Sequence, residues 1–214
     1  MAPFFPSPAL AFAFVAACLL LAATPGADMA LFLSRTLSGG RAHGFAAQAG
    51  ANAGLLIHSF AAALGLSALL AASSEAYEAV KIAGALYLLW LAWNAIRRGT
   101  ALKLDAQGRA SGGPRGAFLA GLAINLTNPK IVLFFVTFLP QFISANDPHA
   151  NAKLFVLGLG FIAITTPVNA LVILAAGRFV GAIKRNPRAL RWFDYGFAAL
   201  MSAFAGRLIW DEAR

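Results

Sequence analysis

Six stretches of this chain are each apolar over roughly the ~20 residues that a bilayer requires of a crossing helix. They run over about 8–33, 44–71, 75–96, 116–142, 152–178 and 191–210. Hydrocarbon offers backbone N–H and C=O groups no partner, so each stretch must satisfy its own hydrogen bonds, which leaves helices. The expected fold is therefore all-α: a polytopic membrane protein with about six transmembrane helices. Composition agrees. Of 214 residues, 60% are hydrophobic and 12% charged, with a mean hydropathy of +0.73, where a soluble domain averages ~45–50% apolar and ~25% charged. The first, second, fourth and fifth stretches exceed a span's length, which predicts tilt or breaks.

The net charge of +9 does not point to nucleic acid, because the basic residues sit in short loops between apolar spans without interleaved aromatics. They report topology instead. Twelve of the 17 lysines and arginines fall after the first, third and fifth spans: Arg35 and Arg41; Arg97, Arg98, Lys103, Arg109 and Arg115; Arg178, Lys184, Arg185, Arg188 and Arg191. The alternate loops hold only Lys81, near Glu75 and Glu78, and Lys153, near Asp147. This asymmetry predicts basic loops in the cytoplasm of an inner (plasma) membrane and both termini outside. Trp90, Trp93 and Trp192 fall near the inner boundary and Trp210 near the outer one. The single cysteine, Cys18, excludes an intrachain disulfide and a two-sulfur relay. Val15-Ala16-Ala17-Cys18 superficially matches a lipoprotein cleavage box, but the N-terminus lacks a basic n-region, so the start is read as a retained first span.

The Gly-containing basic loop, about 97–115, separates two halves of three spans, about 1–98 and 116–214. Odd parity makes the second half enter the membrane from the opposite face, the arithmetic of an inverted repeat. The first span of each half carries a polar interruption: Thr24-Pro25-Gly26-Ala27-Asp28 in one, Asn125-Leu126-Thr127-Asn128-Pro129-Lys130 in the other. Proline suits the first position of a helix, and Thr and Asn suit the N-cap before it. Thr24-Pro25 and Asn128-Pro129 are therefore expected to start half-helices, and Thr166-Pro167 in the fifth span offers a third. A half-helix N-terminus presents unpaired N–H groups and partial positive charge, which suits a carboxylate at membrane depth. Asp28 would receive a cation or a proton. Lys130 would pair with Asp28 or neutralise an anion. A lone proline kink is ordinary in membrane helices, but a carboxylate at helix centre costs ~2.5–3.5 kcal/mol on insertion scales and calls for an explanation. By this reading Asp28 is the one plainly intramembrane carboxylate.

Gln48, Asn52, His58 and Asn169 are weaker signals, since such residues more often make interhelical hydrogen bonds. Asn52 and Asn169 are kept as site candidates and His58 is read as structural. Ala46, Gly50 and Gly54, with a GxxxG match at 50–54, form a small-residue face for close packing, either inside the bundle or at a homodimer contact.

These residues carry a resemblance. Thr24-Pro25-Gly26-Ala27-Asp28, then Ser34-Arg35 and Gly39-Gly40-Arg41 with Gly44, is similar to the start of the lysine exporter and homoserine/threonine resistance family (LysE/RhtB). Leu64-Gly65-Leu66-Ser67-Ala68-Leu69-Leu70 resembles its second span and Lys81 through Leu91 its third. Asn125 through Lys130, followed by Phe134-Phe135 and Phe138-Leu139-Pro140-Gln141-Phe142, resembles its fourth. Ala27 stands where that family commonly has a second proline. The resemblance implies an inner-membrane exporter of amino acids or related zwitterions, driven by an ion gradient with the proton as coupling ion, and no cofactor. It makes Pro25, Gly26, Asp28, Asn128, Pro129 and Lys130 the motif residues. A passive channel or a cation or metal-ion exporter is the alternative, but a cation pore should line itself with several carboxylates or thiols. A membrane-embedded enzyme would need a catalytic set, and no HExxH or GxSxG occurs.

Overall fold

The computed structural model describes residues 8–66, 74–98, 112–143 and 147–210. Every described element is helical. The order is α1 (Pro8–Ala23), α2 (Ala27–Gly39), α3 (Arg41–Ala61, followed by a π-helical turn, Ala62–Leu66), α4 (Ser74–Arg98) and α5 (Gly113–Thr127). Then come α6 (Pro129–Phe142), α7 (Ala150–Leu174), α8 (Ala176–Arg185) and α9 (Pro187–Trp210). Within α6, α-helical hydrogen bonding over Pro129–Leu133 gives way to a π turn at Phe134–Phe138 and a 3-10 turn at Leu139–Phe142.

Among the described residues, one unbroken helix, α7, is long and apolar enough to cross a membrane. Two further helix pairs are apolar enough together but bent, as broken spans or re-entrant loops are: α1 and α2 meet at 47°, and α5 and α6 at 52°. Both breaks fall at the prolines that the sequence singled out. The fold is thus an all-α, polytopic membrane architecture.

Several boundaries move. The fifth span stops at Leu174, and Arg178, Lys184 and Arg185 belong to the separate helix α8. The second span starts at Arg41, its stretch 67–71 lies outside the described residues, and so does the linker over 99–111. The third half-helix does not exist, because α7 runs unbroken through Pro167. Side chains of α3 brace that turn: Gln48 Nε2 donates to Thr166 O at 2.7 Å and Asn52 Nδ2 to Thr166 Oγ1 at 3.1 Å.

At the centre, α3 crosses α5 at backbone contact. A Cβ on Gly50 would lie 1.9 Å from Phe118 O, and one on Gly121 would lie 2.0 Å from Ala47 O. The small-residue face is therefore spent inside the bundle. Between α2 and α3 stands one residue, Gly40, whose φ of 84° is open to glycine and strained for other L-residues. The main core gathers Phe14, Phe134, Phe135, Phe138, Phe142 and Phe161 between α1, α6 and α7. Edge-on and tilted ring pairs run through it, with Phe134 and Phe161 at 4.3 Å and Phe14 and Phe142 at 5.3 Å. This cluster fixes α6 below its break, and so fixes where Asn128 and Lys130 are held.

Arginines close two helix ends. Arg41 Nη2 donates to Leu174 O at 3.0 Å and Arg191 Nη1 to Ile96 O at 2.9 Å. Trp90, Trp93 and Trp192 are exposed, and Arg97 lies 4.4 Å over the ring of Trp93. The Trp210 side chain lies outside the described set.

Candidate functional site

The two breaks are built on one local rule. A proline has no N–H, so it frees the carbonyl four residues before it. Pro25 frees Leu21 O and Pro129 frees Asn125 O. Each carbonyl is taken by a side chain from elsewhere in the bundle: Lys130 Nζ donates to Leu21 O at 2.7 Å, and His58 Nε2 lies 3.4 Å from Asn125 O. Asn125 O also accepts from Asn128 N at 3.2 Å. A threonine finishes the helix before each proline. Thr24 Oγ1 donates to Leu20 O at 2.6 Å, and Thr127 Oγ1 donates to Ala123 O at 2.9 Å.

The N-termini beyond the breaks differ. As expected, Asn128 caps α6, its side chain accepting from Lys130 N at 3.1 Å with Pro129 at the first helical position. Thr24 does not cap α2; its hydroxyl is committed to α1. The N-cap there is Gly26, in extended backbone and without a side chain to take the first N–H groups, so that terminus stays open to an acceptor.

Asp28 lies in the first turn of α2. Its Oδ2 accepts from Asn128 Nδ2 at 3.1 Å and from Asn125 Nδ2 at 3.2 Å. Its Oδ1 is buried and, among the described residues, has no hydrogen-bond partner. Asn125 and Asn128 thus reach across from the second half to hold one carboxylate oxygen of the first. The expected Lys130–Asp28 pair is not formed: the Lys130 ammonium goes instead to Leu21 O and Thr24 O, at 2.7 and 3.0 Å, with the ring of Phe197 at 5.8 Å. Freed carbonyls at the end of α1 outbid the carboxylate because they lie within direct reach.

A cavity opens between these groups. Thr24, Gly26, Asp28 and Asn52 line it from the first half; Asn125, Asn128, Lys130 and Asn169 line it from the second. Pro25 and Pro129 shape its backbone without lining it. Thr165 adds one more hydroxyl, and the rest of its wall is apolar, mainly from Leu21, Met29, Phe32, Leu55, Ile131 and Phe161. Its volume is about 40 Å3, room for about three waters and less than an amino acid occupies. Among the described residues no group of three or more His, Cys, Asp or Glu side chains is placed to hold a metal.

Two features escaped the sequence. His58, stacked 5.5 Å from Phe135, is structural as expected, but that its interhelical partner is the carbonyl freed by Pro129 could not be read, because that partner is on α5. Asp194, 1% exposed in α9, is a second buried carboxylate; its place inside the predicted sixth span was the available signal.

The family described as LysE type translocator matches the chain over residues 19–212. Over 189 residues, covering 88% of this chain and 90% of the relative, it is 30% identical to a homoserine/homoserine lactone efflux protein of Salmonella typhimurium. It is 29% identical over 185 residues to a leucine efflux protein of Klebsiella pneumoniae, covering 86% and 87% of the two chains. No solved structure matches.

Proposed function

This chain belongs to the LysE-type translocator family, and we propose that it exports amino acids, or small zwitterions of their kind, by alternating access around the Asp28–Lys130 cavity. The observation that carries the reading is Asp28 itself. A carboxylate at membrane depth is held from the opposite half of the chain through one oxygen, while its other oxygen is buried without a partner. Such a group is expected to be functional. Oδ1 would accept the substrate ammonium, and the open N-terminus of α2 at Gly26, with Lys130 beside it, would face the carboxylate. The relatives named for homoserine and leucine efflux support an amino-acid cargo. In this conformation the cavity has no room for one, so it must widen during transport.

The two halves would rock as inverted repeats about the two breaks. In favour of this, each half begins with a bent helix pair closed by a threonine and opened by a proline. The orientation proposed puts the basic loops inside and both termini outside. Arg41 meeting the end of α7, and Arg191 the end of α4, fit that parity. Proton coupling would run through Asp28, which would carry a proton in one direction and the substrate ammonium in the other.

The test is export from cells fed amino-acid dipeptides. Asp28→Asn keeps the size of the side chain and an acceptor for Asn125 and Asn128 but loses the charge, and should lower export about thirtyfold or more at normal membrane insertion. Pro25→Ala, which restores a donor to Leu21 O, should lower it too. Normal efflux from both variants would exclude this site. Efflux that persists after the pH gradient is collapsed would exclude proton coupling.

A further inference from the structure

The end of α1 is built like a cation site that the chain fills for itself. Pro25 cannot donate to Leu21 O, and Thr24 O falls outside both helices, between the last residue of α1 and the Gly26 N-cap of α2. Two main-chain carbonyls are thereby turned loose within a few ångströms of each other, beside the face of an aromatic ring. Carbonyl clusters at interrupted helices are the groups that coordinate monovalent cations in membranes. Here the occupant is Lys130 Nζ, at 2.7 Å from Leu21 O and 3.0 Å from Thr24 O, with Phe197 at 5.8 Å. These contacts account for an ammonium: it donates to two carbonyl oxygens and lies against a cation–π face. Lys130 itself is delivered by α6, one residue after Pro129 and with its own N–H held by the Asn128 cap. The second break therefore supplies the cation that the first break requires.

We propose that Lys130 is the tethered occupant of a monovalent-cation cradle formed by Leu21 O and Thr24 O, and that removing the side chain opens this cradle to small free cations such as sodium, potassium or methylammonium. Its consequence for transport rests on the exporter reading above; the cradle does not. In transport, Lys130 would fasten the first break to the second without a dissolved ion, and its release from the carbonyls would let the cavity widen.

The experiment is thermal melting of the purified full-length protein in choline chloride, then in sodium, potassium or methylammonium chloride. The wild type should melt at one temperature in all four salts. Lys130→Ala should melt lower in choline and recover saturably in at least one small cation, by roughly 3–6 °C at ten times the dissociation constant. Lys130→Ala that is indifferent to all three cations overturns the proposal, as does a wild type that responds as the variant does. Should Lys130→Ala be recoverable only with a small cation present, that is the expected result in another form. Should it aggregate in every salt, Lys130→Gln decides, because it keeps N–H donors and loses the charge. A Lys130→Gln melting point below that of the wild type supports the cradle, and an unchanged one overturns it. None of these readouts needs a substrate. A cation response in a protein that exports no amino acid sinks the exporter reading alone, and export without a cation response sinks the cradle alone.

Discussion

Replacing Gly50 by alanine should do more harm than one methyl group suggests. The new Cβ would stand 1.9 Å from Phe118 O and 2.9 Å from Leu122 N. Both are backbone atoms, so no rotamer change relieves the contact. An ordinary carbon–oxygen approach is ~3.3 Å, so α3 and α5 must separate by ~1.4 Å. One turn on, Gly54 packs against Asn125, where a Cβ would lie 2.6 Å from Asn125 Oδ1. Separation therefore also carries Asn125 away from Asp28, and their 3.2 Å hydrogen bond stretches beyond useful range. Overpacking costs ~1–3 kcal/mol, and a lost hydrogen bond to a charged group ~1.5–3 kcal/mol. The total expected is about 2.5–6 kcal/mol, which lowers the melting temperature by roughly 5–24 °C for a chain of this size. The assay is thermal melting in detergent beside dipeptide-fed export. Gly196→Ala is the control, since it lies inside α9 with open space around it and should be neutral or slightly stabilising. Gly50→Ala that melts within about 2 °C of wild type and exports normally would refute the close crossing and the link from it to Asp28.

Other outcomes follow from the same contacts. Arg41→Ala should cost no more than about 1 kcal/mol, because the arginine is exposed where it meets Leu174 O; a larger loss by melting would mean that this helix end is buried in a way the contact does not explain. Between α6 and α7, the hydrogen bond from Lys153 and the backbone N–H of His149 hold Asp147 below the ordinary carboxylate range. A lowered folded pKa stabilises above the unfolded value and is lost as pH falls through the folded one. Acidification below the ordinary range should therefore loosen this loop in hydrogen exchange, and Asp147→Asn should remove that acid-dependent step. For orientation, with Cys18 replaced by alanine, Ser38→Cys should label from the cytoplasm and His149→Cys from outside; the reverse pattern would invert the topology.

The breaks were legible in the sequence because proline acts through its own missing N–H, a local fact. Asp28, Asn125 and Asn128 were legible as types out of place in an apolar run, and the structure brings them to one carboxylate. What could not be read was which freed group each side chain serves. Thr24 and Asn128 precede their prolines alike, yet one closes a helix behind it and the other caps a helix ahead. That choice turns on the residue that follows, Gly26 in one case, and on where the bend points the hydroxyl. Pro167 looked like Pro25 and behaves differently, because Gln48 and Asn52, more than a hundred residues away in sequence, brace its turn. Lys130 and Asp28 carried opposite charges at matched positions, which suggested a pair. Distance decided otherwise, and distance is a property of the packed bundle. The direction of the small-residue face was open for the same reason: GxxxG states that something comes close, and only the crossing of α3 and α5 says what.

Gly40 leaves one peptide of slack between the helix that bears Asp28 and the helix that seals against α5. Such a joint can swivel but cannot stretch. A shift of α2 along its axis is therefore handed to the start of α3, as a crank hands its throw to a rod. Longer spacers inserted at this corner should uncouple the stroke from the seal while leaving each helix intact.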